Sequence, residues 1–422
     1  MNEERHTCPS PFIAHFFSLQ QKNYMTTPYI TPTVHYIGVD DLTIDLFENQ
    51  YPVPQGMSYN SYLLLDEQIA IIDTVDRRYV TTWLSQLEAK LEGRTPTYLI
   101  VEHLEPDHSA GIAALCARYP QVRLVMSARA AKMLPLFFPD DTTLSSRILT
   151  MSEGNCLSLG QKNLRFIMAP MVHWPEVMTV YEESEHILFS ADAFGKFGAL
   201  CHEPDPQLHP VAWTDEARRY YVNICGKYGA PVQTLLAKAA TLDIHHICPL
   251  HGPVLHQPLE QYLTLYNTWS LSRPENEGIL IAHASIHGHT AQAAQFLYDT
   301  LIEGGMVETD VVLLDLCRTP ISEAISQAYR LHRIVLAASS YDASVFPPMY
   351  HFLHHLHAKG LRGRKLAFIE NGSWSPTAGR IMQEMAGQMK DIEVIAPVIT
   401  LNAALTPANY EALRHLAETL KL

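Results

Sequence analysis

The regular alternation of apolar strand patterns and helix patterns after residue 278 constrains the fold more than any other feature of the sequence. Apolar or β-branched runs at 279–284, 309–314, 333–338, 365–370 and 393–397 each precede a helix pattern, and these helices begin near Thr290, Ser322, Pro348, Thr377 and Pro407. Parallel strands require such crossover connections. Five βα units in about 145 residues predict a doubly wound, flavodoxin-like α/β domain.

The first part of the chain has a different pattern. Strand-like runs at 61–66, 68–74 and 97–102 include hairpin spacings, and helix patterns cover 130–138 and 214–228. This mixture predicts a layered sandwich of two sheets with outer helices. The polar segment 270–278, with Pro274 and Gly278, predicts a linker. We therefore expect a disordered N-terminal extension at 1–28, with Met25 as an alternative start, one domain at 29–272 and a second at 278–422.

Composition limits the classes of partner. The 422 residues are 47% hydrophobic and 18% charged, without an apolar run of membrane-spanning length, which predicts a soluble globular protein. A formal net charge of −14 disfavours nucleic acid and anionic membranes as partners. The seven cysteines form no CxxC pair, so we expect free thiols in a reducing cytoplasm.

Potential metal ligands follow several of the apolar runs. Four of them, His103, Glu105, Asp107 and His108, fall within six positions directly after the run at 97–102. Three more follow other apolar runs and are also compatible with turns or core positions when taken singly: His173, Asp192 and His251. Together the seven supply four imidazoles and three carboxylates, which suffice for two metal ions with Asp192 as a bridge.

Three loops of the C-terminal domain predict a flavin site. The first joins a strand to a helix and can present backbone N–H groups to a phosphate; it contains Ser285, Ile286, His287, Gly288, His289 and Thr290. The other two contain Ser339, Ser340, Tyr341 and Asp342, and Asn371, Gly372, Ser373 and Trp374. Tyr341 and Trp374 are candidates to stack on the flavin ring, although both could be core residues. The absence of a GxGxxG turn favours FMN over a dinucleotide. The histidine run at 351–357 is interpreted as a solvated helix face rather than a metal site.

The motifs HLEPDH, HWPE, DAFG and PLHGP, followed by a flavodoxin-like domain, resemble the flavodiiron proteins, or A-type flavoproteins. The resemblance extends from about residue 30 and implies a metallo-β-lactamase-like αββα sandwich fused to a flavodoxin-like domain. Zinc hydrolases of that fold have a histidine where this chain has Glu105, and a carboxylate there favours iron. The resemblance implies one iron bound by His103, Glu105 and His173, and another bound by Asp107, His108 and His251. Asp192 would bridge the two.

The same resemblance implies a function. The family reduces O2 to water, NO to N2O, or both, with electrons relayed through FMN from an external donor such as rubredoxin. It assembles as a head-to-tail homodimer or a dimer of dimers. This chain departs from the family where His287 and His289 replace a Tyr and an Asn, and at 51–55, which lacks a histidine. Two alternatives remain: a metal-dependent hydrolase with a flavodoxin-like docking domain, and a flavin carrier with a decayed metal site.

Overall fold

The structure is a computed structural model that describes residues 29–202 and 210–421. The expected N-terminal extension at 1–28 lies outside these residues. Within them, no helix is both long enough and apolar enough to cross a membrane.

The N-terminal unit is built from short strands and helices. Its strands are β1 (Tyr29–Thr31), β2 (Val34–Tyr36), β3 (Val39–Asp41), β4 (Leu46–Phe47), β5 (Tyr51–Pro52), β6 (Met57–Tyr59), β7 (Tyr62–Leu64), β8 (Ala70–Ile72), β9 (Tyr98–Val101), β10 (Arg123–Ser127), β11 (Ile148–Met151), β12 (Cys156–Ser158), β13 (Asn163–Met168), β14 (Met178–Glu182), β15 (Ile187–Phe189), β16 (His246–Cys248) and β17 (Leu255–His256). Its helices are α1 (Val80–Leu91), α2 (Pro106–Ser109), α3 (Ile112–Arg118), α4 (Ala128–Phe137), α5 (Pro210–Ile224), α6 (Gly229–Ala239) and α7 (Glu260–Ser270).

Two sheets form the centre of this unit. The first has the order β1-β2-β7-β8-β9-β10-β11 and the second the order β12-β13-β14-β15-β16-β17. Along β13, Leu164 and Phe166 are buried while Arg165 is exposed, the alternation expected of a strand with one face in the core. Leu164 and Phe166 belong to an apolar cluster that also contains Ile72 and Ile100 of the first sheet. The sheets therefore pack face to face, with helices outside them, as the sequence predicts.

The C-terminal unit is a single, mainly parallel sheet between helices. Its strands are β18 (Asn276–Ala284), β19 (Val311–Asp315), β20 (Leu331–Tyr341), β21 (Ser344–Val345), β22 (Arg362–Asn371), β23 (Lys390–Val394) and β24 (Ile399–Leu401). Its helices are α8 (His289–Glu303), α9 (Ile321–Arg330), α10 (Pro347–Lys359), α11 (Ala378–Ala386) and α12 (Pro407–Lys421). The strand order is β19-β18-β20-β22-β23, with β24 also parallel to β22. This is the doubly wound, flavodoxin-like order.

Alternate residues of β18 lie on opposite faces of the sheet, and other elements cover both faces. Ile279 and Ile281 pack with α8 and α12 on one side of the sheet. Leu280 and Ala282 lie on the other side, in a cluster that reaches across to Tyr221 of the N-terminal unit. Because that cluster is shared, the two units pack directly against each other.

The polar segment predicted to be a linker is tied down along its length. Strand β18 begins at Asn276, three residues earlier than the apolar pattern suggests. The Glu275 amide donates to the Arg330 carbonyl at 2.8 Å, and the Glu275 carboxylate accepts from Arg218 at 3.0 Å. The segment is therefore part of the interface between the units.

Candidate dinuclear metal centre and flavin site

The carboxyl ends of strands from both sheets of the sandwich bring the seven predicted metal ligands together. β9 ends at Val101, two residues before His103, and the short helix α2 carries Asp107 and His108. β15 and β16 are parallel neighbours, and they lead to Asp192 and His251 respectively. Parallel neighbours deliver their following loops to the same sheet edge, which explains the convergence of residues that are distant in sequence.

One group of ligands consists of His103, Glu105, His173 and Asp192. The Nε2 atoms of His103 and His173 each lie 3.1 Å from Glu105 Oε2. The same two nitrogens lie 3.3 Å and 3.1 Å from Asp192 Oδ2. Two imidazole nitrogens and two carboxylate oxygens thus face one point, as four ligands of a metal ion would.

A second group consists of Asp107, His108 and His251. Asp107 Oδ2 lies 3.5 Å from His108 Nε2 and 3.4 Å from His251 Nε2. Asp192 Oδ1 lies 3.3 Å from His108 Nε2 and 3.7 Å from His251 Nε2. The two oxygens of Asp192 therefore face different groups, which is the geometry of a carboxylate that bridges two cations.

Groups behind the ligands fix the orientation of the histidine rings. Glu176 Oε1 lies 2.8 Å from His103 Nδ1 and accepts the Leu104 amide at 3.0 Å. His251 Nδ1 donates to the Ser58 carbonyl at 2.7 Å. A ligand histidine that donates one ring N–H to such a partner keeps the other nitrogen free for metal. Glu176 belongs to the HWPE motif, but its role as a hydrogen-bond partner of His103 was not predicted from the sequence.

The buried polar atoms of the cluster fit metal ions. Both carboxylate oxygens of Asp107, Asp192 Oδ1 and His108 Nε2 are buried and have no hydrogen-bond partner. Buried polar atoms are normally satisfied, so unpaired ones need an explanation. Two cations among these atoms would satisfy all of them.

The electrostatics of the cluster agree with this fit. Burial favours a neutral ring at His173, but the hydrogen bonds that it donates to the carboxylates of Asp192 and Glu105 outweigh burial and raise its pKa to about 9. Burial also opposes the charge on Asp192, yet the pKa of this carboxyl is held well below its usual range by His103 and His108. The carboxylates therefore attract positive charge strongly, whether as protons or as metal ions.

Aromatic rings enclose the second group of ligands. Phe47 and Tyr220 contact His251, with ring centroids 5.4 Å and 5.6 Å from the imidazole. Tyr51, in the segment that lacks a histidine, is 2% exposed and donates to the Asn223 carbonyl at 3.3 Å. Lys359 of the C-terminal unit lies 3.3 Å from the Tyr51 hydroxyl. Tyr51 thus takes part in a contact between the two units.

The predicted flavin loops surround a cavity of about 490 Å³ at the carboxyl ends of the parallel strands. Thirteen of the fourteen predicted residues line it: Ser285, Ile286, His287, His289, Thr290, Ser339, Ser340, Tyr341, Asp342, Asn371, Gly372, Ser373 and Trp374. Gly288 is not among them, and instead precedes α8 with φ of +95°. That conformation favours glycine because it has no Cβ.

Hydrogen bonds connect the loops around the cavity. Thr290 Oγ1 and Ser339 Oγ lie 3.1 Å apart and join the first loop to the second. The Ser340 hydroxyl accepts the Thr377 amide at 2.8 Å, so it holds the start of α11. Tyr341 and Trp374 are 45% and 91% exposed, which excludes the alternative that they are core residues.

Four residues that line this cavity were not predicted from the sequence: Ala343, Ser375, Thr377 and Ala403. Ala403 follows β24, and its amide donates to Asn371 Oδ1 at 3.0 Å. The signal was present, because in a doubly wound sheet the loop after every strand lies at this same edge. Hydroxyls, open backbone and aromatic faces around a cavity of this size suit a flavin mononucleotide.

Fold and site together define a class of protein, in which a dinuclear metal centre on an αββα sandwich is joined to a flavodoxin-like unit. Residues 57–252 match the model of the ODP family beta lactamase. The chain is 28% identical to the type A flavoprotein fprA of Rhodobacter capsulatus, over 90% of this chain and 87% of the relative. It is 27% identical to the nitric oxide reductase of Moorella thermoacetica, over 87% of this chain and 91% of the relative.

Solved structures show the same architecture. The rubredoxin oxygen:oxidoreductase of Desulfovibrio gigas superposes with a TM-score of 0.85 at 22% identity, over 93% of this chain and 96% of that one. The flavodiiron protein of Giardia intestinalis gives a TM-score of 0.84 at 22% identity, over the same shares of the two chains. These relatives and solved structures are type A flavoproteins, nitric oxide reductases and flavodiiron proteins, which confirms the resemblance and the fold class predicted from the motifs.

Proposed function

We propose that the chain is an oxidoreductase that reduces O2 to water, NO to N2O, or both, with two non-haem iron ions and FMN as its cofactors. The observation that carries this proposal is Asp192, whose two oxygens lie 3.3 Å from His103 Nε2 and 3.3 Å from His108 Nε2. A bridging carboxylate sets two metals at a separation, roughly 3.5–4 Å, at which they can act on one small substrate. The names of the relatives, which include a nitric oxide reductase and an oxygen oxidoreductase, support the same chemistry.

Glu105 supports iron in preference to zinc. Its Oε2 lies 3.1 Å from the Nε2 atoms of both His103 and His173, so it belongs to the first ligand group. A hard anionic oxygen ligand suits iron and stabilises the ferric state. Zinc is redox-inactive and would give electrons from a flavin no destination.

When bound, the two irons would supply redox equivalents and binding positions for a diatomic gas, and FMN would supply the route by which electrons reach them. The protein's own groups orient and isolate that chemistry. Glu176 and the Ser58 carbonyl hold the rings of His103 and His251, and Phe47 and Tyr220 restrict water around the second ligand group.

At the flavin cavity, the start of α8 and the hydroxyls of Ser285 and Thr290 would bind the phosphate, because a helix N-terminus favours an anion. Tyr341 and Trp374 would stack on the ring system, since both are exposed at the cavity. The neighbouring His287 and His289 also line the cavity and would lie close to the phosphate.

The two sites are contributed by different parts of the chain, which bears on its assembly. The flavin cavity is lined only by residues from Ser285 onward, whereas the metal ligands lie between His103 and His251. We infer a head-to-tail homodimer, or a dimer of dimers, in which the FMN of one copy faces the metal centre of the other. A rubredoxin-like protein is the proposed electron donor, supported by the similarity to the rubredoxin oxygen:oxidoreductase of Desulfovibrio gigas.

The test is turnover of the anaerobically purified protein. Iron and FMN are quantified per chain, the flavin is photoreduced, and O2 and NO are added separately while gas consumption and flavin reoxidation are recorded. We expect about two irons and one FMN per chain and rapid reoxidation by at least one gas. Zinc without flavin, together with esterase or thiolesterase activity, would replace this proposal with the hydrolase alternative.

A further inference from the structure

Helix α10 carries a group of histidines that the proposed function does not use. Its buried side consists of Met349, Phe352, Leu353 and Leu356, at the spacing of one helix face. The histidines fall elsewhere on the helix: His351, His354, His355 and His357. His351 and His354 are exposed and His355 is half-buried, so the group is open to solvent.

Two of these side chains converge on one point. His351 and His355 are one helical turn apart, and their Nε2 atoms lie 3.0 Å from each other. The ring centroids are 4.5 Å apart at an interplanar angle of 72°. A tetrahedral ion with metal–nitrogen bonds of about 2.0–2.1 Å separates two ligand nitrogens by roughly 3.3 Å. Small side-chain rotations would therefore admit an ion between these two nitrogens.

We propose that His351 and His355 form a bidentate site for a borderline divalent transition-metal ion such as Zn²⁺, Ni²⁺ or Cu²⁺. Two histidines at positions i and i+4 of a helix can bind one metal ion from the same face. Imidazole nitrogen suits these three ions. The site is distinct from the seven-ligand centre, with which it shares no residue.

The environment keeps the second imidazole available to a metal. Partial burial and the neighbouring His351, Lys359 and His354 lower the pKa of His355 to about 4. A neutral ring is the form that binds metal.

Space for further ligands exists beside His351. This residue lines a cavity of about 440 Å³ between the start of α10 and the loop after β19. Cys317 lines the same cavity and is partly exposed. Water can complete the coordination of a two-histidine site in such an opening.

Another histidine group on the surface has a different geometry. His186 Nδ1 lies 3.0 Å from the Asp243 carbonyl and 3.1 Å from the Tyr181 hydroxyl. His186 and His245 stack with their rings nearly parallel, at 28°, so their nitrogens do not point toward one another. His186, Asp243 and His245 also offer ligand atoms within 4.8 Å of one another, but one of them, His186 Nδ1, already has two protein partners. The α10 pair differs because its two Nε2 atoms face each other directly.

The experiment uses the iron- and FMN-loaded protein without an affinity tag. Zn²⁺ is added by equilibrium dialysis, and zinc and iron are counted per chain. The variants are His351→Gln and His355→Gln, with His357→Gln as the matched control, because it removes an exposed imidazole from the same helix outside the pair. Bound Cu²⁺ is examined in parallel by EPR, in which the number of coupled nitrogens is counted.

We expect wild type and the His357→Gln control to bind one further Zn²⁺ per chain without losing iron. Each pair variant should bind it at least about tenfold more weakly, the loss that even an outer partner of a ligand causes. Cu²⁺ should couple to two nitrogens in wild type and to one in each pair variant. The proposal is overturned if wild type takes up no further ion, or if His355→Gln binds Zn²⁺ as tightly as wild type.

Discussion

Asp192 is 1% exposed, and its two oxygens face separate ligand groups. Hydrogen bonds from the surrounding histidines hold it as an anion despite burial. A neutral amide at this position keeps the shape of the side chain but removes the charge that two cations would share. The Asp192→Asn substitution therefore tests the bridging role with little change in packing.

The first prediction concerns the Asp192→Asn variant. We expect a folded protein that retains less than one iron per chain and loses at least about a hundredfold in gas reduction, because loss of a shared ligand exceeds loss of an outer partner. Iron is measured after anaerobic desalting. Asp391→Asn is the control, since Asp391 is an exposed aspartate far from the ligands in sequence. Full iron retention in Asp192→Asn would exclude a bridging role.

The second prediction concerns Glu176→Gln. Glu176 accepts from His103 Nδ1 at 2.8 Å, and glutamine would keep an acceptor while removing the charge. We expect iron affinity to fall about 10- to 100-fold, with FMN content unchanged. Competition with a chelator measures the affinity, and Glu384→Gln, on the exposed side of α11, is the control. Equal chelator sensitivity of the two variants would contradict a role for Glu176 behind the ligand.

At the residue scale, the candidate metal ligands could be predicted from the sequence, whereas the groups that hydrogen-bond to those ligands could not. His103 and His108 could be predicted from the sequence as candidate ligands, because they belong to a cluster of histidines and carboxylates directly after an apolar strand. Glu176 and the Ser58 carbonyl contact His103 and His251 only through tertiary packing, and carboxylates and carbonyls are too common in sequence to indicate such contacts. The outer contacts therefore emerge only from the structure.

At the scale of elements, the turn before α8 has a left-handed backbone conformation at Gly288, beside the proposed site of the flavin phosphate. Gly288 has φ of +95°, and a Cβ at this position would meet no atom within 4 Å. Gly305, after the same helix, has φ of +92° and equally open surroundings. A side chain would therefore strain the backbone equally at the two positions. Only Gly288 lies in the turn beside the flavin cavity.

The third prediction compares alanine substitutions at these two glycines. Gly288→Ala and Gly305→Ala should each lower the free energy of unfolding by about 1 kcal/mol, because alanine is strained in the left-handed region. Gly288→Ala alone should weaken FMN binding, measured by fluorescence quenching of the flavin added to apoprotein. Equal FMN affinity in both variants would show that the turn before α8 does not bind the flavin phosphate.

The order of strands and helices in the C-terminal unit follows the sequence pattern closely, but the first and last residues of these elements do not. β20 spans Leu331–Tyr341, whereas the apolar pattern covers only 333–338. The ladder continues because backbone pairing with β18 and β22 extends to polar residues once the strands are aligned. Apolar periodicity reports side-chain burial and contains no information about this extension.

At the scale of the whole molecule, a buried arginine holds the two units together. Arg364 is 1% exposed, and its guanidinium donates to the carbonyls of Ser272, Ala328 and Tyr329 at 2.8, 3.1 and 2.7 Å. Ser272 belongs to the segment between the units, so these hydrogen bonds cross the junction. The composition of that segment predicted a linker, but the donors that bind it come from a strand about ninety residues later.

The fourth prediction is that Arg364→Met lowers the free energy of unfolding by about 3 kcal/mol or more, because several buried carbonyls lose a charged donor. Arg380→Met, which removes an exposed ion pair with Glu384, should cost about 0.5 kcal/mol or less. Denaturant unfolding followed by both tryptophan and flavin fluorescence measures the two variants. Equal stability of the variants would show that these hydrogen bonds do not support the junction.

The most direct test of the bridging role of Asp192 is EPR and Mössbauer spectroscopy of the oxidised protein loaded with ⁵⁷Fe. If Asp192 bridges two irons, the two ferric ions couple to one another. We predict about two irons per chain, no EPR signal from isolated ferric ions, and a Mössbauer spectrum of a coupled pair. A full-intensity signal of isolated ferric iron, or one iron per chain, would contradict it.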